Sequence, residues 1–127
     1  MTGETLFDPQ SSRPGEFFSK DESHLAQAVE LLGPLPAALA ARGPRAAQWF
    51  RADGVTLRNI AIAPPPAGVD AIARVLEENF GFDRRGSRDV SEFLRALLKY
   101  EPEDRVSARD ALGLPWLAED DGDDLVL

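Results

Sequence analysis

Cysteine is absent from all 127 residues, which excludes disulfides, thiolate zinc sites and a Cys nucleophile. Histidine is almost absent. His24 stands alone, so neither a His-Glu-x-x-His zinc spacing nor any second imidazole ligand exists, and a surface or hydrogen-bonded role is expected for it. Long apolar runs are missing too: no stretch approaches the roughly 20 residues that span a bilayer. Met1 to Pro9 also lack the basic-then-apolar pattern of a signal peptide, so no membrane partner is expected. Basic residues are the scarcer charge. Fourteen Lys and Arg against 22 Asp and Glu leave a net charge of −8, and phosphate affinity needs clustered cations, so direct nucleic-acid binding is not expected. No G-x-S-x-G, G-x-G-x-x-G or G-x-x-x-x-G-K-S/T motif occurs. The Asp120–Asp124 run lacks the spacing and the twelfth-position Glu of a calcium loop. No catalytic, cofactor-binding or metal-binding residue is therefore assigned.

What remains reads as one globular domain. A 43% hydrophobic and 28% charged composition is that of a chain able to bury a core. The pattern is helical. Ser19-Lys20-Asp21-Glu22 is a capping box, in which the Ser19 hydroxyl and the Glu22 carboxylate satisfy each other's free main-chain donors. Leu25, Ala28, Val29 and Leu32 follow at helical spacing, and Gly33-Pro34 stops the helix. Short helices are expected over Pro36–Arg42 and Ala46–Ala52. Residues 57–63 alternate weakly, but no partner strand is visible, so an extended loop ended by Pro64-Pro65-Pro66 is expected. Ile72, Val75, Leu76 and Phe80 mark another helix. Val90, Phe93, Leu94, Leu97 and Leu98 mark a strong one, expected to be capped by Ser87. Arg84-Arg85-Gly86-Ser87 also has the form of a basophilic phosphorylation site. A final short helix is expected from Ser107, its N-cap, to Leu112. The fold class is all-α with long loops. Loops as long as 1–18 and 53–68 are unusual in so small a domain, which points to function or to membership of something larger. Residues 119–127 hold five acids and no base and read as an acidic disordered tail.

The stretch Tyr100–Leu117 carries P-x-x-R-x-S-A-x-x-A-L-x-x-P-W-L and resembles the closing segment of the protein-kinase catalytic domain. There, helix H leads through Pro-x-x-Arg into helix I and a His-Pro-Trp/Phe close, with Leu114 here at the His position. Upstream, T-G-E-T-L-F-D-P (from Thr2), S-K-D-E-S-H-L-A (from Ser19) and V-E-L-L-G-P-L-P (from Val29) resemble the SR-protein-specific kinases. Trp49-Phe50, Gly54-x-x-Leu57-Arg58-x-Ile60 and F-L-R-A-L-L (from Phe93) extend the resemblance in order over residues 2–118.

The resemblance implies the C-terminal helical subdomain of a kinase large lobe, helices G, H and I, with residues 1–118 a partial kinase domain. It implies, for an intact parent, transfer of the ATP γ-phosphoryl group with Mg to serine in Arg/Ser-rich proteins. The Gly-rich loop, strand lysine, His-Arg-Asp and Asp-Phe-Gly elements are not in this chain. It is therefore expected to begin inside the large lobe and to be inactive and marginally folded alone, with the rest of a kinase domain as a partner. Arg105 occupies the position of the arginine that pairs with the activation-segment glutamate. Without that partner it is expected to be solvated, or paired with Glu101 or Asp104. Trp116 would anchor helix I.

Family docking acids for arginine-rich segments map onto Glu4 and Glu30. Ser23 stands where a third acid would be expected, and Asp21 and Glu22 are adjacent. Fewer carboxylates imply weaker, salt-sensitive docking. An intracellular setting, cytoplasmic or nuclear, is implied. The second reading is a non-catalytic kinase-derived module that docks basic segments.

Overall fold

The computed structural model describes residues 3–10, 17–62 and 65–118. The expected acidic tail lies outside the described residues. The chain forms two compact units, one through Val69 and one from Asp70 onward.

The first unit is built on α1 (Lys20–Leu32), α2 (Ala37–Arg42) and α3 (Ala46–Trp49). Ser19 caps α1 as its sequence requires, its Oγ accepting the Glu22 N–H at 3.1 Å. The other half of the capping box does not form. Glu22 turns inward, is 1% exposed, and gives both carboxylate oxygens to Asn59. Helical periodicity places Ala26 and Val29 on the same buried side of α1. Ala26 joins Ala40, Phe50 and Leu57 in a core flanked by Leu25, Leu35, Ala46, Trp49, Ile60 and Ile62.

The expected extended loop has a partner after all. Phe50 and Leu57 form an antiparallel bridge, with Arg51 N–H donating to the Thr56 carbonyl and Arg58 N–H to the Trp49 carbonyl, each at 2.8 Å. A turn through Gly54 joins them, at a φ of 77° that favours glycine. Asp53 closes this turn. Its carboxylate takes the Thr56 hydroxyl and the Thr56 and Val55 N–H groups, and these hydrogen bonds hold its pKa down to about 2. One bridge between two short runs leaves too weak an alternation to read as a strand pair, which is why the sequence pattern shows only a loop.

The second unit packs α4 (Ala71–Phe80) on α5 (Arg84–Leu97), and adds a 3₁₀ turn (Pro102–Asp104), α6 (Ala108–Ala111) and α7 (Pro115–Ala118) against it. Ile72, Leu76 and Val90 are buried between the long helices. Gly81 ends α4 in the left-handed conformation, at a φ of 70°. The cap expected at Ser87 sits one turn earlier. Asp83 accepts the Gly86 N–H at 2.6 Å, so α5 starts at Arg84. Ser87 is instead inside the helix, 1% exposed, with its hydroxyl 3.0 Å from the Glu77 carboxylate. That burial removes it from the reach of a modifying enzyme. Ser107 caps α6 through the Asp110 N–H, and Trp116 of α7 stacks edge-on against Phe93 at 4.8 Å. Phe93, Leu94, Leu97 and Leu98 remain half-buried.

Asp70 ties the two long helices together. It caps α4 through the Ala73 N–H, receives the fully buried Ser91 hydroxyl, and pairs with the Arg95 guanidinium at 3.0 Å. Desolvation pushes this carboxyl up. The Ser91 hydroxyl, the Ala73 N–H and Arg95 more than offset it, and the net pKa lies below the ordinary aspartate value. A depressed folded-state pKa stabilises the fold above the unfolded-state value and withdraws that stability as pH falls through the folded one. Urea unfolding from pH 6 to pH 2 should therefore show Asp70→Asn losing part of the acid-dependent slope below about pH 4. Ser91→Ala should cost about 1–2 kcal/mol at neutral pH.

Candidate docking surface

The four acids proposed to dock basic segments do not form one patch. At 100° per residue, Asp21 and Glu30 are nine positions apart and project from opposite sides of α1. Both are exposed, as is Glu4. Glu22 is a correction: its carboxylate accepts the Asn59 main-chain N–H at 2.7 Å and the Asn59 side-chain amide at 3.0 Å. It is therefore part of the interior and presents nothing to a partner. A buried carboxylate must be hydrogen-bonded, and two donors from one residue satisfy both oxygens.

Asp21 borders a cleft of about 390 Å³ with His24, Leu25, Ala28, Arg45 and Trp49. The Arg45 guanidinium lies over the Trp49 ring at 5.2 Å. A cation in the same cleft weakens the attraction Asp21 offers to arginine. His24 is exposed, and its ring stands 5.3 Å from that of Phe7, an ordinary surface contact.

Glu30 is on the other side, seven residues from Ser23 and three from Gln27, so these three share a face of α1. The segment 8–10 is laid against this face. Gln27 bonds both main-chain groups of Asp8, at 2.8 and 2.9 Å, and Ser23 Oγ accepts the Gln10 N–H at 3.1 Å. The missing third acid is thus a serine, 7% exposed, that holds the chain segment bearing Glu4. Of the expected docking acids, Glu30 is thus exposed on α1 and Glu4 is exposed on an arm tied to that helix at Asp8 and Gln10.

Arg105 is exposed, and its guanidinium donates to the carbonyls of Lys99 at 2.7 Å and Tyr100 at 3.5 Å. Of the two expectations, solvation fits this exposed guanidinium, and main-chain oxygens stand where pairing with Glu101 or Asp104 was the alternative. The neighbouring Tyr100 is half-buried, and desolvation raises its pKa to about 12.

Asn59, Gln27 and Gln10 were not singled out by motif or charge. Asn59 had one legible sign, a lone amide in the apolar run Ile60-Ala61-Ile62 and Leu57. The glutamines had none, since their role depends on how an irregular segment returns to a helix.

Helices with this order, a Pro-x-x-Arg turn leading into a Ser107-capped α6, and a Pro115-Trp116 close define the helical subdomain of a protein-kinase large lobe. No family model matches the chain. It is similar to the serine/threonine-protein kinase SRPK of Physarum polycephalum, 35% identical over 118 residues, which are 93% of this chain and 26% of the relative. SRSF protein kinase 3 of Mus musculus is 39% identical over 116 residues, 91% of this chain and 19% of the relative. Serine/threonine-protein kinase SKY1 of Saccharomyces cerevisiae is 33% identical over 119 residues, 94% of this chain and 15% of the relative. Over 91–94% of its length the chain is thus similar to SR-protein kinases at 33–39% identity, and it fits a C-terminal kinase segment of that family. It spans about a quarter or less of the length of these relatives.

The family implies ATP and Mg, but the residues present do not fit that group. Among the described residues no three His, Cys, Asp or Glu side chains converge to hold a metal ion, and no Gly-rich phosphate loop is in the sequence. No step of phosphoryl transfer is assigned to this chain.

Asn59→Ala should cost about 1–3 kcal/mol in urea unfolding, because it withdraws one of two donors from a buried carboxylate. Glu30→Gln should stay within about 0.5 kcal/mol, as an exposed substitution away from caps and core does. Equal effects of the two would mean that Glu22 is not held as described.

Proposed function

We propose that this chain is the substrate-docking part of a serine/threonine kinase whose intact form phosphorylates serine in Arg/Ser-rich proteins. Glu30 and Glu4 attract the basic segment. Asp21 contributes less because of Arg45, and Glu22 supports α1 from inside. The observation that supports this reading most is the exposed Glu30 on a helix fixed from its buried side by Glu22 and Asn59. A pre-set carboxylate binds a guanidinium without first ordering its own backbone. Residues 1–118 are read as the partial kinase domain, in an intracellular protein. On its own the chain has none of the phosphate-binding or catalytic motifs and is proposed not to bind or turn over ATP. No helix of the described residues is long and apolar enough to cross a membrane.

The test is fluorescence anisotropy of an Arg-Ser repeat peptide with the full 127-residue chain. Binding should weaken as NaCl rises past 0.1 M, where the screening length is about 10 Å. Glu30→Gln should weaken it about two- to fivefold. Calorimetry with ATP and Mg should show no heat of binding. Peptide binding indifferent to both salt and Glu30 would contradict the docking role. ATP binding would contradict the proposed inactivity.

A further inference from the structure

Gln27 directs both its amide oxygen and its amide nitrogen to one residue of an irregular segment. Its Oε1 accepts the Asp8 N–H at 2.8 Å and its Nε2 donates to the Asp8 carbonyl at 2.9 Å. This copies the paired bonds that a neighbouring strand would make. One helical turn away, Ser23 Oγ accepts the Gln10 N–H, and the Gln10 amide returns to the Asp8 carbonyl at 3.1 Å. The anchors are two residues apart on the arm and four apart on α1. Two extended residues cover about 6.6 Å and four helical residues rise about 6 Å, so the two spacings match. Gln10 lies at Ser23 and Asp8 at Gln27, so the arm runs antiparallel to α1. It therefore carries Glu4 toward the end of the helix where Glu30 stands. Glu4 is four residues beyond Asp8, within about 13 Å of extended chain.

We propose that Gln27 is a positioning residue of the docking surface: by fixing the register of the arm on α1, it fixes Glu4 relative to Glu30. This rests on the docking reading above. A carboxamide that engages both main-chain groups of one residue tolerates no one-residue slip, because the next residue turns its groups to the opposite side and here, as Pro9, has no N–H to give. Ser23 alone supplies a single bond and sets no direction. The arm is thus a second docking element whose carboxylate contributes only while Gln27 holds it.

The experiment is a double-mutant cycle on the full chain with a fluorescent (Arg-Ser)4 peptide at low salt. Gln27→Met keeps side-chain length and helix propensity while removing both hydrogen bonds. It should weaken binding about two- to fivefold, as loss of one surface charge contact does. In that background Glu4→Gln should bring no further loss, while Glu30→Gln should keep its full factor. Hydrogen exchange at the Asp8 amide should accelerate in Gln27→Met. If the Gln27→Met and Glu4→Gln factors multiply, or Gln27→Met binds like the unmodified chain, the positioning role is overturned and the docking surface stands. Loss of the Glu30 factor in the Gln27→Met background would also overturn it, since that would report a general loss of fold. If Glu4→Gln and Glu30→Gln both bind as tightly as the unmodified chain, the docking reading fails and takes this inference with it.

Discussion

A carboxylate taken out of water has to find donors, and in this chain the search is what joins α1 to the irregular segment beyond α3. Glu22, 37 residues before Asn59, receives both its main-chain N–H and its side-chain amide. The cost of leaving that charge unsatisfied would be several kcal/mol, more than most single contacts in a small core contribute. The bond therefore fixes which side of α1 faces inward. With that side decided, Ala26 and Val29 meet the core, Ser23 and Gln27 meet the arm, and Glu30 is left in solvent. A position that looks from the sequence like one acid among four is the one on which the presentation of the others depends.

The second unit repeats the device with different partners. Asp70 caps α4 and at the same time collects Ser91 and Arg95 from α5, so a helix terminus serves as an inter-helix joint. Both units thus place an acid at or near the start of a helix and use it to bind a distant element. Both acids are engaged by these internal partners, and of the four acids expected to dock a basic segment Glu30, Glu4 and Asp21 remain exposed.

Much of this was legible beforehand. The capping Ser19 and Ser107 and the existence of α1, α4 and α5 follow from local rules that tertiary structure did not override. The Pro-x-x-Arg close was legible only through the family resemblance. On α1 the buried side is Glu22, Ser23, Ala26 and Val29, where Leu25, Ala28, Val29 and Leu32 were expected. What failed did so for physical reasons. The capping box Ser19-x-x-Glu22 is a local pattern, but Asn59 offers two donors against the single main-chain N–H of the box, and the tertiary partner wins. The α5 cap moved from Ser87 to Asp83 because an aspartate four residues earlier caps equally well and adds a turn of helix. The Phe50–Leu57 bridge is a single pair, below what alternation can reveal. The arm on α1 depends on side-chain amides, which carry no periodicity at all.

The most direct measurement is an amide chemical-shift map of the isotope-labelled chain titrated with an Arg-Ser repeat peptide. Shifts should concentrate at Glu30, Gln27, Asp8 and Gln10, with Arg84–Leu97 unmoved. Shifts centred on Arg45 and Trp49, or on the second unit, would contradict a docking surface formed by α1 and its arm.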